Sequence, residues 1–266
     1  MNTNPYPNAF SRKLGKLLFT NPLVAQSEWA LRGDLNWRGA KHPPAKPSKF
    51  WPNAVLKSRQ VADQSVAHAF ECGLPPHQDG PKNWDSLTAI RAILDATDSK
   101  DRVLDAGATL YSNILPWLYL FGYRELFGID LIFPKPLKRG PIQYDQGDLT
   151  KTRFPDEHFG AITCMSVVEH GVDVEAYLKE MSRLLRPGGV LVTSTDYWDE
   201  GIETHGKVAY GVPIRFFKRE DLQSFVELSG KYGFKVEGEV DLDCDERVVH
   251  WQGFDFTFAC ITLIKG

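Results

Sequence analysis

The 266-residue chain lacks the features typical of membrane, secreted and nucleic-acid-binding proteins. No apolar run approaches the roughly 20 residues that cross a bilayer, and the N-terminus has no convincing signal peptide. Four cysteines stand far apart without a CxxC pair, so neither a disulfide framework nor a zinc knuckle is predicted. The formal net charge of −3 gives no basic surface for DNA or RNA. These absences predict a cytoplasmic protein that binds neither membrane nor nucleic acid.

A full glycine-rich dinucleotide loop is also missing. In VLDAGATLYS, residues 103–112, a short apolar strand ends at Asp105 and Gly107 follows. Thr109 stands where a GxGxxG pattern needs its second glycine. Its side chain would cost about 1 kcal/mol or more if the loop needed a positive φ there. The missing glycine argues against an NAD-dependent oxidoreductase. The turn that follows the strand, at Asp-Ala-Gly, remains a candidate ligand-binding loop.

From residue 101 onward, short apolar strands alternate with helical patterns. This alternation predicts an α/β protein whose mostly parallel sheet is covered by helices on both faces. The last two strands have no helix between them and are expected to pair antiparallel. Before this region, the spacing predicts helices over 54–71 and 84–96, and Leu14, Leu17 and Leu18 would share one helix face. We therefore divide the chain into a mostly helical and irregular N-terminal arm, residues 1–82, and a main domain, residues 83–266.

Three aspartates follow successive predicted strands. Asp105 ends the first strand, Asp130 ends the second, and Asp148 comes near the end of the third. Ligands of such sheets bind beyond the carboxyl ends of the strands, where one carboxylate can hold both hydroxyls of a ribose. Any single aspartate here could equally be a solvated turn residue. The regular placement of all three favours a nucleoside site.

Four stretches carry a resemblance to a known family: VLDAGATLYS, LFGIDL, QGDLTKTRFPDEHFGAITCMSVVEHG and LLRPGGVLVTSTDYW. In order and spacing they resemble the motifs of class I S-adenosylmethionine-dependent methyltransferases, over residues 83–266. The FPDxxFG and RxLRPGG runs are the most specific. The resemblance implies a Rossmann-like seven-stranded sheet of order 3-2-1-4-5-7-6, with the last strand antiparallel. It also implies an enzyme that uses S-adenosyl-L-methionine as its cofactor.

The resemblance assigns roles to residues around that cofactor. Asp105 and Gly107 would face its methionine part, and Asp130 would hold the ribose. Asp148 and the backbone of Leu149 would contact adenine. Thr109 is the departure from the family pattern, and it leaves the strength of cofactor binding open.

The fourth strand leads to the residues closest to the expected chemistry. By resemblance, Ser166 lies under the sulfonium. Methyl transfer requires alignment and exclusion of water, and a base only where the acceptor must lose a proton. His170 is the candidate base. Glu169 beside it is grouped with the catalytic residues, where it would orient the loop or contact the cofactor. The alternative is that His170 only bonds its loop or caps a helix.

The acceptor side is expected in the long irregular segment 196–217. Its polar and aromatic side chains could form one wall of a pocket: Tyr197, Trp198, His205, Tyr210 and Arg215. Ordinary packing of an aromatic-rich loop is the alternative. Asp196, at the end of its strand, is placed for the acceptor or for a metal. Together with Glu169, His170 and His205 it offers ligand types that suit a divalent ion, but their spacing matches no metal signature, so no metal site is predicted.

The leading hypothesis is methyl transfer to a small polar acceptor, O- or N-directed, such as a sugar or a secondary metabolite. A nucleic-acid methyltransferase would favour an NPPY-type sequence where this chain reads SVVE. A methyltransferase-like binding module without turnover stays as an alternative. The N-terminal arm could act as a lid over the cofactor through Lys82 and Trp84, as an acceptor clamp, or as the contact of a homodimer.

Overall fold

The computed structural model of the chain describes residues 26–236 and 238–266. The helix face predicted at Leu14, Leu17 and Leu18 lies outside these residues. Within them the helices are α1 (Glu28–Trp37), α2 (Arg59–Glu71), α3 (Lys82–Ala96), α4 (Ile114–Leu120), α5 (Val174–Leu184) and α6 (Arg219–Lys231). No helix in this part of the chain is both long and apolar enough to cross a membrane.

The strands, in chain order and with their bounds, are β1 (Asn53–Val55), β2 (Val103–Ala106), β3 (Leu126–Asp130), β4 (Leu137–Arg139), β5 (Ile142–Gln146), β6 (Phe159–Met165), β7 (Leu185–Tyr197), β8 (Val208–Ala209), β9 (Val212–Pro213), β10 (Phe234–Val236), β11 (Val249–Trp251) and β12 (Phe254–Lys265). The main sheet runs β1-β12-β7-β6-β2-β3-β5-β4, and β10 and β11 also pair with β12. Strands β8 and β9 form a separate hairpin.

The main sheet has the predicted architecture. The pairs β5-β3, β3-β2, β2-β6 and β6-β7 are parallel, and β12 lies antiparallel beside β7. In the numbering used for the sequence, the first to seventh strands are β2, β3, β5, β6, β7, β10 and β12, and they stand in the order 3-2-1-4-5-7-6. The mostly parallel, Rossmann-like α/β fold class is confirmed.

The N-terminal arm contributes a strand that the sequence pattern does not predict. Residues 53–55 pair antiparallel with the middle of β12, beside the stretch of β12 that pairs with β10. The helix predicted from residue 54 instead begins at Arg59, where the Ser58 side chain accepts a hydrogen bond from the backbone N–H of Val61. The strand is fixed by the buried Asn53, whose Oδ1 accepts from the backbone N–H of Thr262 at 2.8 Å.

A second boundary differs from the sequence pattern near the Arg-Pro-Gly-Gly turn. Helix α5 begins at its N-cap Asp173, whose carboxylate accepts from two backbone N–H groups. The helix ends at Leu184, and the next residue is already extended with ψ 135°. Leu185 pairs with Phe159 of β6, so β7 includes the turn residues that the pattern predicts as the helix end.

The sheet separates two apolar cores. The larger core buries Trp84 and Trp117 together with arm residues such as Leu56 and Leu74. The second core lies around Tyr177 and the inward faces of α5 and α6. The arm therefore shares one core with the main domain, and the carboxyl edge of the sheet is held from both faces.

Candidate active site

The three aspartates lie at the same edge of the sheet, in a staggered row. Asp105 is level with Gly128 on β3, two residues short of Asp130. Asp130 is in turn level with Gln146 on β5, two residues short of Asp148. Since strands lie about 4.8 Å apart and rise about 3.3 Å per residue, the Cα atoms of Asp105 and Asp130 are about 8 Å apart. A ligand that touched all three carboxyl groups would have to be long and extended along the edge.

Asp105 is a buried carboxylic acid. Its two oxygens accept hydrogen bonds from Thr163 Oγ1 at 2.8 Å and from Ser112 Oγ at 3.1 Å. Burial raises the pKa of Asp105 to about 6, although these two hydrogen bonds oppose the rise. The neighbouring Asp130 and Asp85 carboxylates raise it further. The group is therefore poised to change its charge just below neutral pH, and a nearby cation would favour the ionised form.

Gly107 lets the loop after β2 fold over the end of β3. The N–H groups of Gly107 and Ala108 both donate to the carbonyl oxygen of Ile129, at 2.7 and 3.0 Å. Gly107 has φ +86°, and a Cβ there would lie 2.3 Å from the Val167 side chain. The loop therefore requires glycine at 107. Thr109 does not have a positive φ, so the strain considered for its side chain does not arise.

Asp130 is flanked by exposed apolar side chains. Its Oδ1 accepts from the backbone N–H of Ile132 at 2.8 Å, and burial raises its pKa. Leu131 and Ile132 are 68% and 64% exposed. A groove of about 410 Å³ lies between segments 109–111 and 132–137. A carboxylate next to apolar surface suits a ribose joined to a flat base.

Asp148 is exposed and shapes its own turn. Its Oδ1 accepts from the backbone N–H of Thr150 at 2.8 Å and from the Thr150 hydroxyl at 2.7 Å. The following Leu149 is buried against the second core. The turn therefore holds the Asp148 carboxylate at the outer end of the row.

At the ends of β6 and β7 the structure forms a buried polar cluster. Ser166 has φ +52°, and its N–H donates to the Ser194 carbonyl oxygen at 2.9 Å. Glu169 is buried, and its two oxygens accept from the backbone N–H of Asp196 at 3.3 Å and from Thr195 Oγ1 at 3.1 Å. Glu169 thus ties the segment after β6 to the end of β7, an arrangement that suits an orienting role.

Asp196 faces Glu169 in this cluster. Burial raises the pKa of Asp196 well above its ordinary value, and the Glu169 carboxylate raises it further. Lys82 acts in the opposite direction without cancelling these effects. Burial and the facing Glu169 carboxylate therefore both favour the protonated form of Asp196, and the Lys82 ammonium favours the ionised form.

His170 belongs to an aromatic cluster next to this polar one. The centroid of its ring lies 5.2 Å from that of Tyr210 and 6.2 Å from that of Trp251. The rings of Tyr210 and Trp251 are stacked, with centroids 6.1 Å apart. Among the described residues, the buried Nδ1 of His170 has no hydrogen-bond partner.

Tyr210 is 77% exposed and has φ +53° in the two-residue turn with Gly211 between β8 and β9. Such turns favour Gly, Asn and Asp, so a tyrosine here is strained. Strained residues cluster at functional sites, and Tyr210 is placed on the exposed side of the cluster.

Of the five predicted acceptor residues, Tyr210 is the one whose ring contacts His170. Tyr197 is fully buried, and its hydroxyl donates to the Leu242 carbonyl oxygen at 3.0 Å. Successive side chains of a strand point to opposite faces. Because Asp196 turns toward Glu169, Tyr197 turns into the second core and does not line a pocket.

The other three predicted acceptor residues have separate surroundings. The Arg247 guanidinium lies 4.3 Å from the ring centroid of Trp198. Arg215 forms an ion pair with Asp221 at 3.0 Å. His205 is exposed and has φ +50° in its loop. The structure therefore does not gather the five residues into one wall.

The sequence pattern singles out Glu169, Asp196 and Lys82 separately, but it does not predict that they meet with Asp85 in one cluster. Asp196 is recognisable from the sequence because it stands at the end of a buried strand, as Asp105 and Asp130 do. Asp85 carries no such signal, because it reaches the cluster from the first turn of a helix. Trp251 likewise enters through the pairing of β11 with β12.

The residues at the edge fit S-adenosylmethionine. Asp130 has a carboxylate that would accept from ribose hydroxyls, and the exposed Leu131 and Ile132 would give a flat base apolar surface. Asp105 provides a carboxyl group whose ionised form an ammonium would stabilise. The staggered row of acids suits a nucleoside that carries an amino-acid chain.

Comparisons with known proteins agree with this arrangement. Residues 104–193 match the family described as a methyltransferase domain. A sterol 24-C-methyltransferase of Yarrowia lipolytica is 30% identical over 119 residues, which are 41% of this chain and 30% of that enzyme. A demethylmenaquinone methyltransferase of Mycolicibacterium paratuberculosis is 46% identical over 46 residues, 17% of this chain and 20% of that enzyme. The aligned parts thus span well under half of either relative.

A solved structure shares the fold over most of the chain. Geranyl diphosphate C-methyltransferase from Streptomyces coelicolor, crystallised with Mg²⁺, geranyl diphosphate and S-adenosyl-L-homocysteine, aligns with a TM-score of 0.52 and 14% identity. The alignment covers 89% of this chain and 97% of that one. The predicted resemblance to class I S-adenosylmethionine-dependent methyltransferases is thus supported in two ways: residues 104–193 match a methyltransferase domain, and most of the chain has the fold that the resemblance implies.

Proposed function

We propose that this chain transfers the methyl group of S-adenosylmethionine to a small-molecule acceptor. The observation that carries the proposal is that a row of acids, which suits a cofactor, lies beside a polar and aromatic cluster, which suits an acceptor, at one edge of the sheet. A row of staggered carboxyl groups ends next to the half-buried Ser166 and the buried Glu169 and Asp196, and the aromatic cluster of His170, Tyr210 and Trp251 adjoins them.

When bound, S-adenosylmethionine supplies an activated methyl group. Asp130 would hold the ribose hydroxyls, and Asp148 with the Leu149 backbone would contact adenine. Asp105 and the Gly107 loop would hold the methionine part. These residues bind and orient, which is the main requirement for an in-line displacement.

The acceptor would bind at the aromatic cluster. Tyr210 and Trp251 present a stacked pair of rings, which suits a sugar or another ring. Ser166 would lie under the sulfonium, and the His170 imidazole would take a proton from a hydroxyl or amine acceptor. A small polar acceptor, methylated on oxygen or nitrogen, is our first candidate.

Methylation of carbon is a second candidate, because one observation favours it. The groove of about 410 Å³ beside Tyr111 and Ile132 is bounded mainly by apolar side chains, and the part of it that a bound adenine leaves open would suit an acceptor with a large apolar part. The sterol and geranyl diphosphate enzymes among the similar proteins are named for such substrates. With a carbon acceptor, His170 would take the proton lost from carbon.

Calorimetric titration with S-adenosylmethionine tests the proposal, and we expect micromolar-range binding. Asp130→Asn should weaken it, while Asp63→Asn, an exposed change on α2, should leave it unaltered. Absence of binding at millimolar cofactor would overturn the proposal.

Transfer from radiolabelled S-adenosylmethionine to a panel of sugars, phenols, amines and isoprenoid alkenes then identifies the acceptor class. Binding without transfer to any member of the panel would favour the methyltransferase-like binding module instead.

A further inference from the structure

The first turn of α3 reaches across to the ends of β6 and β7 through two charged side chains. Lys82 and Asp85 are three residues apart, so they lie on one face of the helix. Asp85 is fully buried and accepts from Ser194 Oγ of β7 at 2.8 Å. Lys82 is 19% exposed, and its ammonium lies 3.4 Å from the Asp85 carboxylate. The two residues anchor the helix start to the edge of the sheet that carries the polar cluster.

The Lys82 ammonium is held from several sides. It donates to Ser166 Oγ at the end of β6 and lies 3.9 Å from the ring centroid of Phe258 on β12. Burial by itself lowers the pKa of Lys82, but the carboxylates around it, first that of Asp85 and then Asp196, Glu169 and Asp79, outweigh burial and raise it. Lys82 is therefore a permanent cation at physiological pH.

The charge balance of the cluster depends on this cation. Asp85, Glu169 and Asp196 place three buried carboxyl groups near a single ammonium. Removing one partner of a buried ionic cluster leaves the others uncompensated, which is strongly unfavourable. Loss of the Lys82 charge would thus leave the Glu169 carboxylate less compensated, and Glu169 ties the segment after β6 to β7.

Ser166 adds a second reason for a fixed partner. A positive φ is unfavourable for serine, and such conformations persist only where the surroundings impose them. The Ser194 carbonyl oxygen holds the Ser166 N–H from β7, and Lys82 holds its hydroxyl from α3. The next five residues include Glu169 and His170, so a shift at Ser166 would move both.

We propose that Lys82 is a positioning residue for methyl transfer, whose ammonium holds the strained Ser166 and thereby fixes segment 166–171 from the start of α3. The role in catalysis rests on the proposed function, but the role in fixing the segment does not. Through this role of Lys82, the start of α3, where the N-terminal arm joins the main domain, helps to position the residues of the active site.

Hydrogen exchange of the unliganded full-length chain tests the positioning role. Lys82→Met should speed exchange of the amides in 166–171 about tenfold or more, while amides of β2 and β3 keep their protection. Lys82→Arg should restore slow exchange because it retains the charge. Lys46→Met makes the same change at an exposed ion pair with Asp95 and should have no effect on the segment. Unchanged exchange in 166–171 for Lys82→Met would overturn the proposal.

A second variant covers the case in which Lys82→Met unfolds. Ser166→Ala keeps the ammonium but removes its hydroxyl partner, and it should speed exchange in the same segment. Unchanged exchange in Ser166→Ala would then contradict the proposal.

Kinetics separate this proposal from the proposed function. With any acceptor that is turned over, Lys82→Met should lower kcat on the order of 10- to 100-fold, as a misplaced site does, with cofactor affinity within a few-fold of the parent and recovery in Lys82→Arg. Failure of the parent chain to transfer a methyl group would count against the proposed function only, since the exchange result stands without turnover. An unchanged kcat in Lys82→Met would overturn the catalytic part of the role.

Discussion

At Asp105, burial favours the neutral carboxylic acid, whereas a cationic ligand would favour the ionised carboxylate. The fold places its carboxyl group under the loop that Gly107 allows, where burial disfavours the charge. Thr163 and Ser112 favour the charge but do not offset burial. An ammonium next to Asp105 would complete the compensation, and this is what the methionine end of the cofactor would bring.

The raised pKa makes a prediction for stability. In the unfolded chain Asp105 titrates near 3.9, and in the folded chain near 6. Between these values the folded state binds more protons, so this group makes the free energy of unfolding fall as pH rises, with the loss complete above about pH 6. Relative to pH 4, the parent should lose about 2 kcal/mol more than Asp105→Asn by pH 7.

Urea unfolding of both proteins between pH 4 and 7 measures this difference. Asp145→Asn, an exposed change on β5, is the control and should follow the parent. Parallel pH curves for the parent and Asp105→Asn would show that Asp105 keeps an ordinary pKa.

His170 carries the prediction for chemistry. If it takes the proton of the acceptor, His170→Ala should lower kcat about 100-fold or more, since general-base catalysis typically contributes that much, with cofactor affinity nearly unchanged. His250→Ala, an exposed histidine one residue from Trp251, serves as the control. The assay is labelled methyl transfer with separate calorimetry of the cofactor. Full turnover by His170→Ala would rule out the base role.

At the residue scale, the sequence predicts strand-end acids well and their partners poorly. Asp105, Asp130 and Asp148 follow from a simple rule of parallel sheets. The contact of Lys82 with Ser166 joins residues 84 positions apart, and no local pattern encodes it. The sequence pattern places Tyr197 in an acceptor wall because it does not show that β7 extends to residue 197, where side-chain alternation directs the ring into the core.

At the scale of elements, the predicted helices and strands of residues 83–266 follow from clear periodicity. Local periodicity does not predict β1, because this strand has three residues and forms only by pairing with β12. The paired residues Ala54 and Cys260 are 206 positions apart. The early start of β7 has a similar origin, since pairing of Leu185 with Phe159 overrides the helical pattern. Short strands that form only through tertiary pairing cannot be recognised from the local sequence pattern.

Asn53 makes the pairing of β1 testable. Its Oδ1 is the acceptor for the buried N–H of Thr262, and its carbonyl oxygen accepts from Asp241 N–H at 2.8 Å. Asn53→Ala leaves the Thr262 donor unpaired, which should lower the free energy of unfolding by about 2 kcal/mol. Asn36→Ala, on an exposed position of α1, should change it by less than about 0.5 kcal/mol. Equal urea midpoints for the two variants would mean that β1 contributes little to the sheet.

At the scale of the whole molecule, residues of the arm and of the main domain pack into one hydrophobic core and do not merely contact each other across a surface interface. Leu56 is fully buried, and its N–H donates to the carbonyl oxygen of Phe258 in β12 at 2.8 Å. Trp84 and Leu87 of α3 belong to the same cluster as Leu74 of the arm. We therefore infer that residues 26–82 unfold together with the sheet, although composition suggested an appended arm.

Leu56→Ala tests whether the molecule unfolds as one unit. The cavity should lower the free energy of unfolding by about 3 kcal/mol, and the slowest-exchanging amides of β6 and β7, far from the arm in sequence, should lose the same free energy of protection. Val208→Ala, at a 62% exposed position, controls for the loss of methyl groups and should leave both measurements unchanged. If Leu56→Ala speeds exchange in α2 alone while β6 and β7 keep their protection, the arm is an independent unit and a domain boundary near residue 82 is correct. The shared core predicts the first outcome, because β12 cannot lose its pairing with β1 and its packing on Leu56 without exposing its neighbour β7.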